Sequence, residues 1–152
     1  MRVKVGDEAP NFTLPSQKGE SVTLSQFFRK KNIVLYFYPK NETRGCTREA
    51  CKFRDKCEVF KDLGAEVIGV NSDDIESHKS FAIRHNLPFI LLSDKDKKVR
   101  SLYGVSSTFG FIPGRVTYII DKAEIVRHIY PSQFQPHEHI QESIDVLKKL
   151  EP

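Results

Sequence analysis

The sequence contains no hydrophobic stretch that approaches the ~20 residues needed for a membrane-spanning helix. Its opening residues, MRVKVG, also lack the apolar segment of a secretory signal peptide. From these absences we expect a protein that has no membrane partner and works in the cytoplasm. A plastid location after removal of a transit peptide is the alternative.

Cysteine is scarce, with three in 152 residues: Cys46, Cys51 and Cys57. Because no secretion signal accompanies them, so few cysteines argue against a scaffold held together by disulfides. They indicate free or redox-active thiols in a reducing compartment.

The basic residues lack the features that accompany nucleic-acid binding. The net charge is +4, and the densest basic clusters lie at residues 29–31 and 95–100. Neither cluster has stacking aromatic residues or a recognition motif, so we expect solvated turns and helix ends there and no nucleic-acid partner. The length fits one domain that covers residues 1–152.

Hydrophobic patterns predict strands and helices in alternation, which is typical of an α/β fold with helices on both faces of the sheet. The predicted strands cover residues 12–14, 21–24, 33–38, 67–70, 89–92, 116–120 and 125–129, the last two forming a hairpin. The predicted helices run from the strand at 33–38 to about residue 63, over 76–85 and over 136–150.

Cys46 lies at the start of the first of these helices. Apolar residues recur from it at spacings of four and three, which places them on one face directed at the sheet: Cys46, Ala50, Phe53, Cys57 and Phe60. In a first helical turn, unpaired backbone N–H groups and the helix dipole favour a thiolate over a thiol. Position alone is equally consistent with a small buried hydrophobic residue. For Cys57 we expect a buried, inert thiol.

The residues around Cys46 resemble the peroxiredoxins, thiol peroxidases with a thioredoxin-like fold. Their Pro-x-x-x-Thr-x-x-Cys signature is present as Pro39, Thr43 and Cys46, and the later Gly-Arg-Val-Thr-Tyr at 114–118 also matches. Cys51, five positions after Cys46, is similar to the second cysteine of the Q-type subfamily, also called bacterioferritin comigratory protein. Further similar segments, closest to the plant and cyanobacterial branch, lie at 53–55, 64–70, 87–89 and 132–136.

The resemblance implies a single-domain thioredoxin-like fold with a central mixed sheet, and a peroxidase that needs no cofactor. Cys46 would attack hydrogen peroxide or an organic hydroperoxide and become a sulfenic acid. Cys51 would then form an intramolecular disulfide with Cys46, which thioredoxin or a glutaredoxin-like reductant would reduce. We expect a monomer, with a weak homodimer as the alternative.

Four further residues receive roles from the same resemblance. Arg115 would supply a permanent positive charge and forked donors to the thiolate and the peroxide oxygens. Thr43 would contact the peroxide, and its hydroxyl is also placed to cap the helix by accepting the Cys46 N–H. Pro39 ends the strand and would shield the thiol from water. Glu49 either pairs with an arginine such as Arg115 or only favours the first helical turn.

Three other functions are compatible with parts of the pattern. A disulfide oxidoreductase on the same fold normally carries Cys-x-x-Cys, which is absent. A metal-binding module could combine the cysteines with His137 and His139, but residues at i and i+2 do not share a helix face, and we expect both histidines on the surface. A holdase on the same fold would need assembly, for which the sequence gives no sign. Peroxide consumption that depends on a thiol reductant separates the peroxidase from all three.

Overall fold

A computed structural model describes residues 2–105, 107–108, 112–131 and 135–150. The strands are β1 (Thr13–Pro15), β2 (Ser21–Thr23), β3 (Asn32–Phe37), β4 (Ala65–Asn71), β5 (Ile90–Ser93), β6 (Ser107–Thr108), β7 (Ile112–Pro113), β8 (Val116–Ile120) and β9 (Val126–Pro131). The helices are a short 3-10 turn (Leu24–Phe27), α1 (Arg44–Asp55), α2 (Cys57–Asp62), α3 (Ile75–Arg84), α4 (Lys98–Tyr103) and α5 (Glu138–Lys149). Within this described part, no helix has the length and hydrophobicity of a membrane span.

A five-stranded mixed sheet forms the centre of the fold, in the order β5-β4-β3-β8-β9. β4 runs parallel to both β3 and β5, whereas β8 runs antiparallel to β3 and to β9. β3 is buried along its whole length because it lies in the middle of the sheet with both faces covered, as its continuous apolar run predicts. The predicted mixed sheet and the predicted hairpin of β8 and β9 are confirmed.

Alternate residues of β3 point to two separate cores, since successive side chains of a strand face opposite sides of the sheet. Ile33, Leu35 and Phe37 pack on one face against the N-terminal segment and α4. Val34 and Tyr36 pack on the other face against α1, α2, α3 and α5. Both faces therefore carry helices, and the thiol of Cys46 lies on the second face.

The single helix predicted to run to about residue 63 is wrong, because the chain leaves helical geometry at Lys56. The backbone of Lys56 has φ −104° and ψ 12°, and α2 starts afresh at the next residue. Phe60 of α2 is buried in the core, as the apolar stripe predicts. Cys57 is only half-buried, so the expected burial of this thiol is also wrong.

The basic cluster at 95–100 is solvated in part, as expected, since residues 95–98 are exposed. It leads into α4, which the sequence patterns do not predict, and the side chains of Val99 and Arg100 are buried there. The short strands β6 and β7 are likewise unpredicted. The last helix begins at Glu138, two residues after its predicted start, with Ile140, Ile144 and Leu147 facing the core as expected. Of the similar segment at 132–136, residues 132–134 lie outside the described part of the chain.

Position 69 on β4 needs glycine because the ring of Tyr36 on the neighbouring strand leaves no room for a side chain. A methyl group at Gly69 would lie 2.8 Å from Cζ of Tyr36, a separation that the rigid, fully buried ring cannot relieve by moving its end. We predict that Gly69→Ala lowers the free energy of unfolding by about 1–3 kcal/mol through overpacking, measured by urea denaturation. In a Tyr36→Leu background the same change should cost less than about 0.5 kcal/mol. An equal cost in both backgrounds would contradict this explanation.

Candidate active site

Cys46 lies in the first turn of α1 with no solvent-exposed surface, on the face of the helix that packs against the sheet. The apolar stripe of α1 explains this orientation, because Ala50 and Phe53 on the same face are also fully buried. The predicted position and direction of Cys46 are confirmed. Its thiol is free in this structure.

Thr43 is the residue that precedes α1, but its hydroxyl does not cap the helix. The hydroxyl instead donates to the carbonyl oxygen of Lys40, at 3.0 Å, within the preceding loop. The predicted cap is therefore wrong, because a local turn hydrogen bond takes the hydroxyl away from the helix. The carbonyl of Thr43 still accepts the first helical hydrogen bond, from the amide of Thr47 at 2.9 Å. Thr43 itself is exposed at the rim of the site.

Arg115 reaches Cys46 from the segment immediately before β8, as the sequence predicts. Its Nη2 lies 3.4 Å from the Cys46 sulfur, and the arginine is buried. The close approach depends on Gly45, where a methyl group would lie only 3.2 Å from Nη2. A guanidinium therefore donates to the sulfur at the helix N-terminus, so two sources of positive potential converge on the sulfur.

Glu49 holds the other side of the Arg115 guanidinium. Its Oε1 lies 2.5 Å from Nη1, and both side chains are buried. Of the two roles that the sequence leaves open for Glu49, the structure shows the pairing. Its second oxygen, Oε2, accepts no hydrogen bond among the described residues and lies 3.7 Å from Nδ1 of His139.

Burial and neighbouring charges shift the pKa values of both members of this pair, Glu49 and Arg115. Burial raises the pKa of Glu49 to about 8, against the lowering effect of Arg115. Burial lowers the pKa of Arg115, but Glu49 and Cys46 raise it by more, so its net displacement is upward. Arg115 therefore stays cationic over the physiological pH range, whereas Glu49 titrates near the upper end of that range.

His139 belongs to this site, although the sequence predicts a surface histidine. It is fully buried on α5, and its Nδ1 lies 2.7 Å from the hydroxyl oxygen of Thr117 on β8. Its ring also meets the edge of Tyr130, with centroids 4.8 Å apart. The signal that was missed is its place beside Ile140 on the core-facing side of α5. His137 is exposed, as predicted.

A second buried polar cluster fixes the loop between Pro39 and Thr43. Asn41 is buried, and its amide N–H donates to Asp73 at 2.8 Å. Its side-chain oxygen accepts from the hydroxyl of Tyr38 at 2.6 Å, and its side-chain nitrogen lies 3.0 Å from Nδ1 of His78. This cluster ties the loop before α1 to β4 and α3, and sequence reasoning did not identify it.

Both ends of the segment that carries the cysteines are also attached to the end of α3. Before α1, Glu42 adopts a left-handed backbone conformation (φ 64°) and its Oε1 lies 3.1 Å from Nε2 of His85. In the last turn of α1, Arg54 donates to the carbonyl oxygen of the same His85, at 2.8 Å.

The remaining predicted site residues, Cys51 and Pro39, make no hydrogen bond to the Cys46 sulfur within the described part of the chain. Cys51 is half-buried in the continuous helix α1 and its thiol is free. Pro39 is half-buried, two residues after the end of β3. Across the described residues, no group of histidine, cysteine, aspartate or glutamate side chains has an arrangement that could hold a metal ion.

Comparisons with known proteins agree with this geometry. The AhpC/TSA family profile matches residues 5–129. The wheat (Triticum aestivum) protein named Peroxiredoxin Q, chloroplastic, is 52% identical over 150 residues, which cover 98% of this chain and 69% of the relative. The Arabidopsis thaliana protein of the same name is 51% identical over 148 residues, covering 97% of this chain and 68% of the relative.

Solved structures of similar proteins superimpose on this chain over nearly its whole length. The crystal structure of peroxidoxin BcpB from Mycobacterium tuberculosis superimposes with a TM-score of 0.92 at 32% identity, covering 99% of this chain and all of that one (100%). A cysteine-to-serine mutant of PrxQ from Xylella fastidiosa has a TM-score of 0.90 at 27% identity, with 98% of each chain covered.

The buried carboxyl group of Glu49 should make stability depend on pH in a recognisable way. Its folded-state pKa of about 8 lies above the ordinary value of 4.5, so the native state binds more protons than the unfolded state between these limits. We predict that the free energy of unfolding falls as pH rises from about 4.5 to about 8, by more than about 1 kcal/mol attributable to Glu49. The measurement is urea denaturation at several pH values.

Glu49→Gln should remove this slope, because an amide of nearly the same shape does not titrate. Glu66→Gln is the control, because Glu66 pairs with Lys31 near the surface and should leave the slope unchanged. The same slope in parent and Glu49→Gln would show that the carboxyl group is ionised throughout.

Proposed function

Because the chain belongs to the AhpC/TSA family and is a thiol-dependent peroxidase of the Q-type peroxiredoxins, we propose that Cys46 is its peroxide-reducing nucleophile. The contact between Nη2 of Arg115 and the sulfur of Cys46, 3.4 Å long and buried at the start of α1, carries this proposal. The family takes a peroxide as substrate and a thiol as reductant. We propose hydrogen peroxide and organic hydroperoxides as the substrates of this chain.

The first half-reaction oxidises Cys46. Its thiolate attacks the terminal oxygen of the hydroperoxide, a sulfur–oxygen bond forms and the oxygen–oxygen bond breaks. The departing oxygen takes a proton and leaves as water or an alcohol, and Cys46 becomes a sulfenic acid. The guanidinium of Arg115 and the N-terminal amides of α1 offer donors to the charge that moves onto the departing oxygen.

Arg115 is suited to this role because it stays cationic and is held at its other edge by Glu49. With Nη1 occupied by the carboxylate, the guanidinium is oriented so that Nη2 faces the sulfur. We propose that Thr43, at the exposed rim, contacts the incoming peroxide, and that Pro39 limits the access of water to the thiol.

The second half-reaction forms a disulfide between Cys46 and Cys51. The Cys51 thiolate attacks the sulfenic sulfur, water leaves, and a dithiol reductant such as thioredoxin or a glutaredoxin-like protein restores both thiols. In an intact helix, positions five residues apart are about 140° around the axis and ~7.5 Å along it, so their Cα atoms are roughly 8–9 Å apart. A disulfide needs less than about 7 Å. We propose that the segment from Thr43 to about Lys52 unwinds for this step.

The chemistry of the proposed cycle indicates the kind of cellular compartment in which it runs. Free thiols and a dithiol donor fit a reducing compartment, either the cytoplasm or the chloroplast, which is the location in the names of the wheat and Arabidopsis relatives. Both cysteines belong to one chain, so the proposed cycle runs in a monomer and needs no second subunit.

The first test concerns the nucleophile. Cys46→Ser should abolish peroxide consumption supported by thioredoxin, thioredoxin reductase and NADPH, because a serine hydroxyl is not ionised at neutral pH. Cys57→Ala is the matched control, since that half-buried thiol lies outside the site; we expect its turnover to be kept and its stability to fall by at most about 1 kcal/mol. Full turnover by folded Cys46→Ser would refute the proposed function.

The second test concerns resolution. Peptide mapping of the peroxide-treated monomer should recover a Cys46–Cys51 disulfide within one chain, and amide hydrogen exchange should show protection over residues 46–52 in the reduced form only. Cys51→Ser should still react once with peroxide and then stop as a sulfenic acid. A disulfide between chains, or equal protection in both redox states, would contradict the unwinding mechanism.

A further inference from the structure

Arg100 is a second buried arginine close to the site, and the reaction cycle described above gives it no part. Its side chain projects from α4 on the opposite face of the sheet from Cys46, over the ring of Phe37, with Cζ 5.9 Å from the ring centroid. Among the described residues, no carboxylate lies within ion-pair distance of its guanidinium. A buried cation without such a partner needs other acceptors.

Two backbone carbonyl groups supply those acceptors. Nη1 of Arg100 donates to the carbonyl oxygen of Gly114 at 3.3 Å, and Nη2 donates to that of Tyr38 at 3.5 Å. Tyr38 immediately precedes Pro39, and Gly114 immediately precedes Arg115. One guanidinium therefore joins the two chain segments from which the site is assembled.

The register of the sheet explains why a side chain is needed at this point. The last pair of the β3–β8 ladder is Phe37 with Val116, and two residues further the same register sets Pro39 opposite Gly114. The amide of Tyr38 donates to Val70 on β4, so the backbone groups of the next residue face β8. A residue there would donate its N–H to the carbonyl of Gly114, but proline has no N–H to donate.

Arg100 itself is firmly fixed. Its own amide and that of Val99 donate to the two carboxylate oxygens of Asp94, at 2.9 and 3.1 Å, and Asp94 is buried. The amide of Val105 donates to the Arg100 carbonyl at 3.1 Å. The base of the side chain is thus held in α4 while its guanidinium reaches the end of β3 and the start of β8.

We propose that Arg100 is a positioning residue for peroxide reduction: it replaces the donor that Pro39 removes from the sheet and thereby fixes the distance between the Cys46 loop and Arg115. It acts through the backbone of both segments and does not touch the peroxide. This proposal rests on the roles proposed above for Cys46 and Arg115.

The test compares two reactions of Cys46 measured by stopped flow. Peroxide reduction needs the aligned guanidinium of Arg115, whereas alkylation of the buried Cys46 by iodoacetamide needs only its thiolate and local opening of the site. We expect Arg100→Met to slow the peroxide reaction by at least about tenfold, because small displacements of a positioned group cost large factors in rate. Alkylation should change by less than about threefold. Arg127→Met, which removes an arginine at the opposite end of the β8–β9 hairpin, should change neither rate.

A double-mutant cycle distinguishes positioning from general damage to the fold. In an Arg115→Met background, Arg100→Met should slow the peroxide reaction by less than about twofold, because the group it positions is already gone. Arg100→Lys keeps a cation but cannot bridge two carbonyls in fork geometry, so it should give an intermediate loss. If Arg100→Met does not fold, Arg100→Lys decides the question by the same ratios.

Three results would overturn the proposal: folded Arg100 variants with unchanged peroxide rates, an equal fall in both reactions, or a full effect that persists in the Arg115→Met background. If the parent protein itself does not react with peroxide through Cys46, the proposed function and this proposal both fail. If the parent protein reacts with peroxide but the Arg100 variants react at the same rate as the parent, only the positioning role of Arg100 is contradicted.

Discussion

The contact that the rest of the site depends on is the bridge made by one guanidinium between a sulfur and a carboxylate. Arg115 faces Cys46 with one nitrogen and Glu49 with another, and all three side chains are buried. An isolated cation at that depth would be costly, and so would an isolated carboxylate. With Glu49 paired to Nη1, the Nη2 side of the guanidinium faces the sulfur. The acidic residue thus orients the arginine without being needed at the sulfur itself.

The fold serves this bridge by bringing three distant parts of the chain to the same end of the sheet. α1 supplies Cys46 and Glu49, the start of β8 supplies Arg115, and α5 supplies His139 beneath the carboxylate. Because β3 and β8 are neighbours in the central sheet, the loop that leaves β3 and the residue that enters β8 emerge side by side. The buried side chain of Asn41 then fixes the course of that loop through its contacts with Asn71 of β4 and His78 of α3.

The sequence was sufficient for the parts of this arrangement that depend on local patterns. The apolar stripe of α1 predicted the direction of Cys46, and the peroxiredoxin motif predicted Arg115 as its neighbour. The pairing of Glu49 stayed open because it depends on a strand more than sixty residues away. His139 and Arg100 were assigned to the surface because a buried polar side chain is revealed only by partners from other segments. The break at Lys56 was not predicted because no proline or glycine marks it in the sequence. The cap by Thr43 was predicted wrongly because its hydroxyl donates within the preceding turn instead.

The double attachment to His85 has a consequence for the entropy of the redox cycle. Glu42 and Arg54 hold the two ends of the cysteine-bearing segment to His85, the residue that follows α3, so the segment is a closed loop. The entropy of bringing the ends of such a loop together is already lost in the folded protein. If the helix melts in the proposed cycle, only the residues between the two attachment points gain freedom. On the proposed reduction of the disulfide, the helix would reform from a chain with both ends in place, so each turn of the proposed cycle would be a local event within an otherwise unchanged fold.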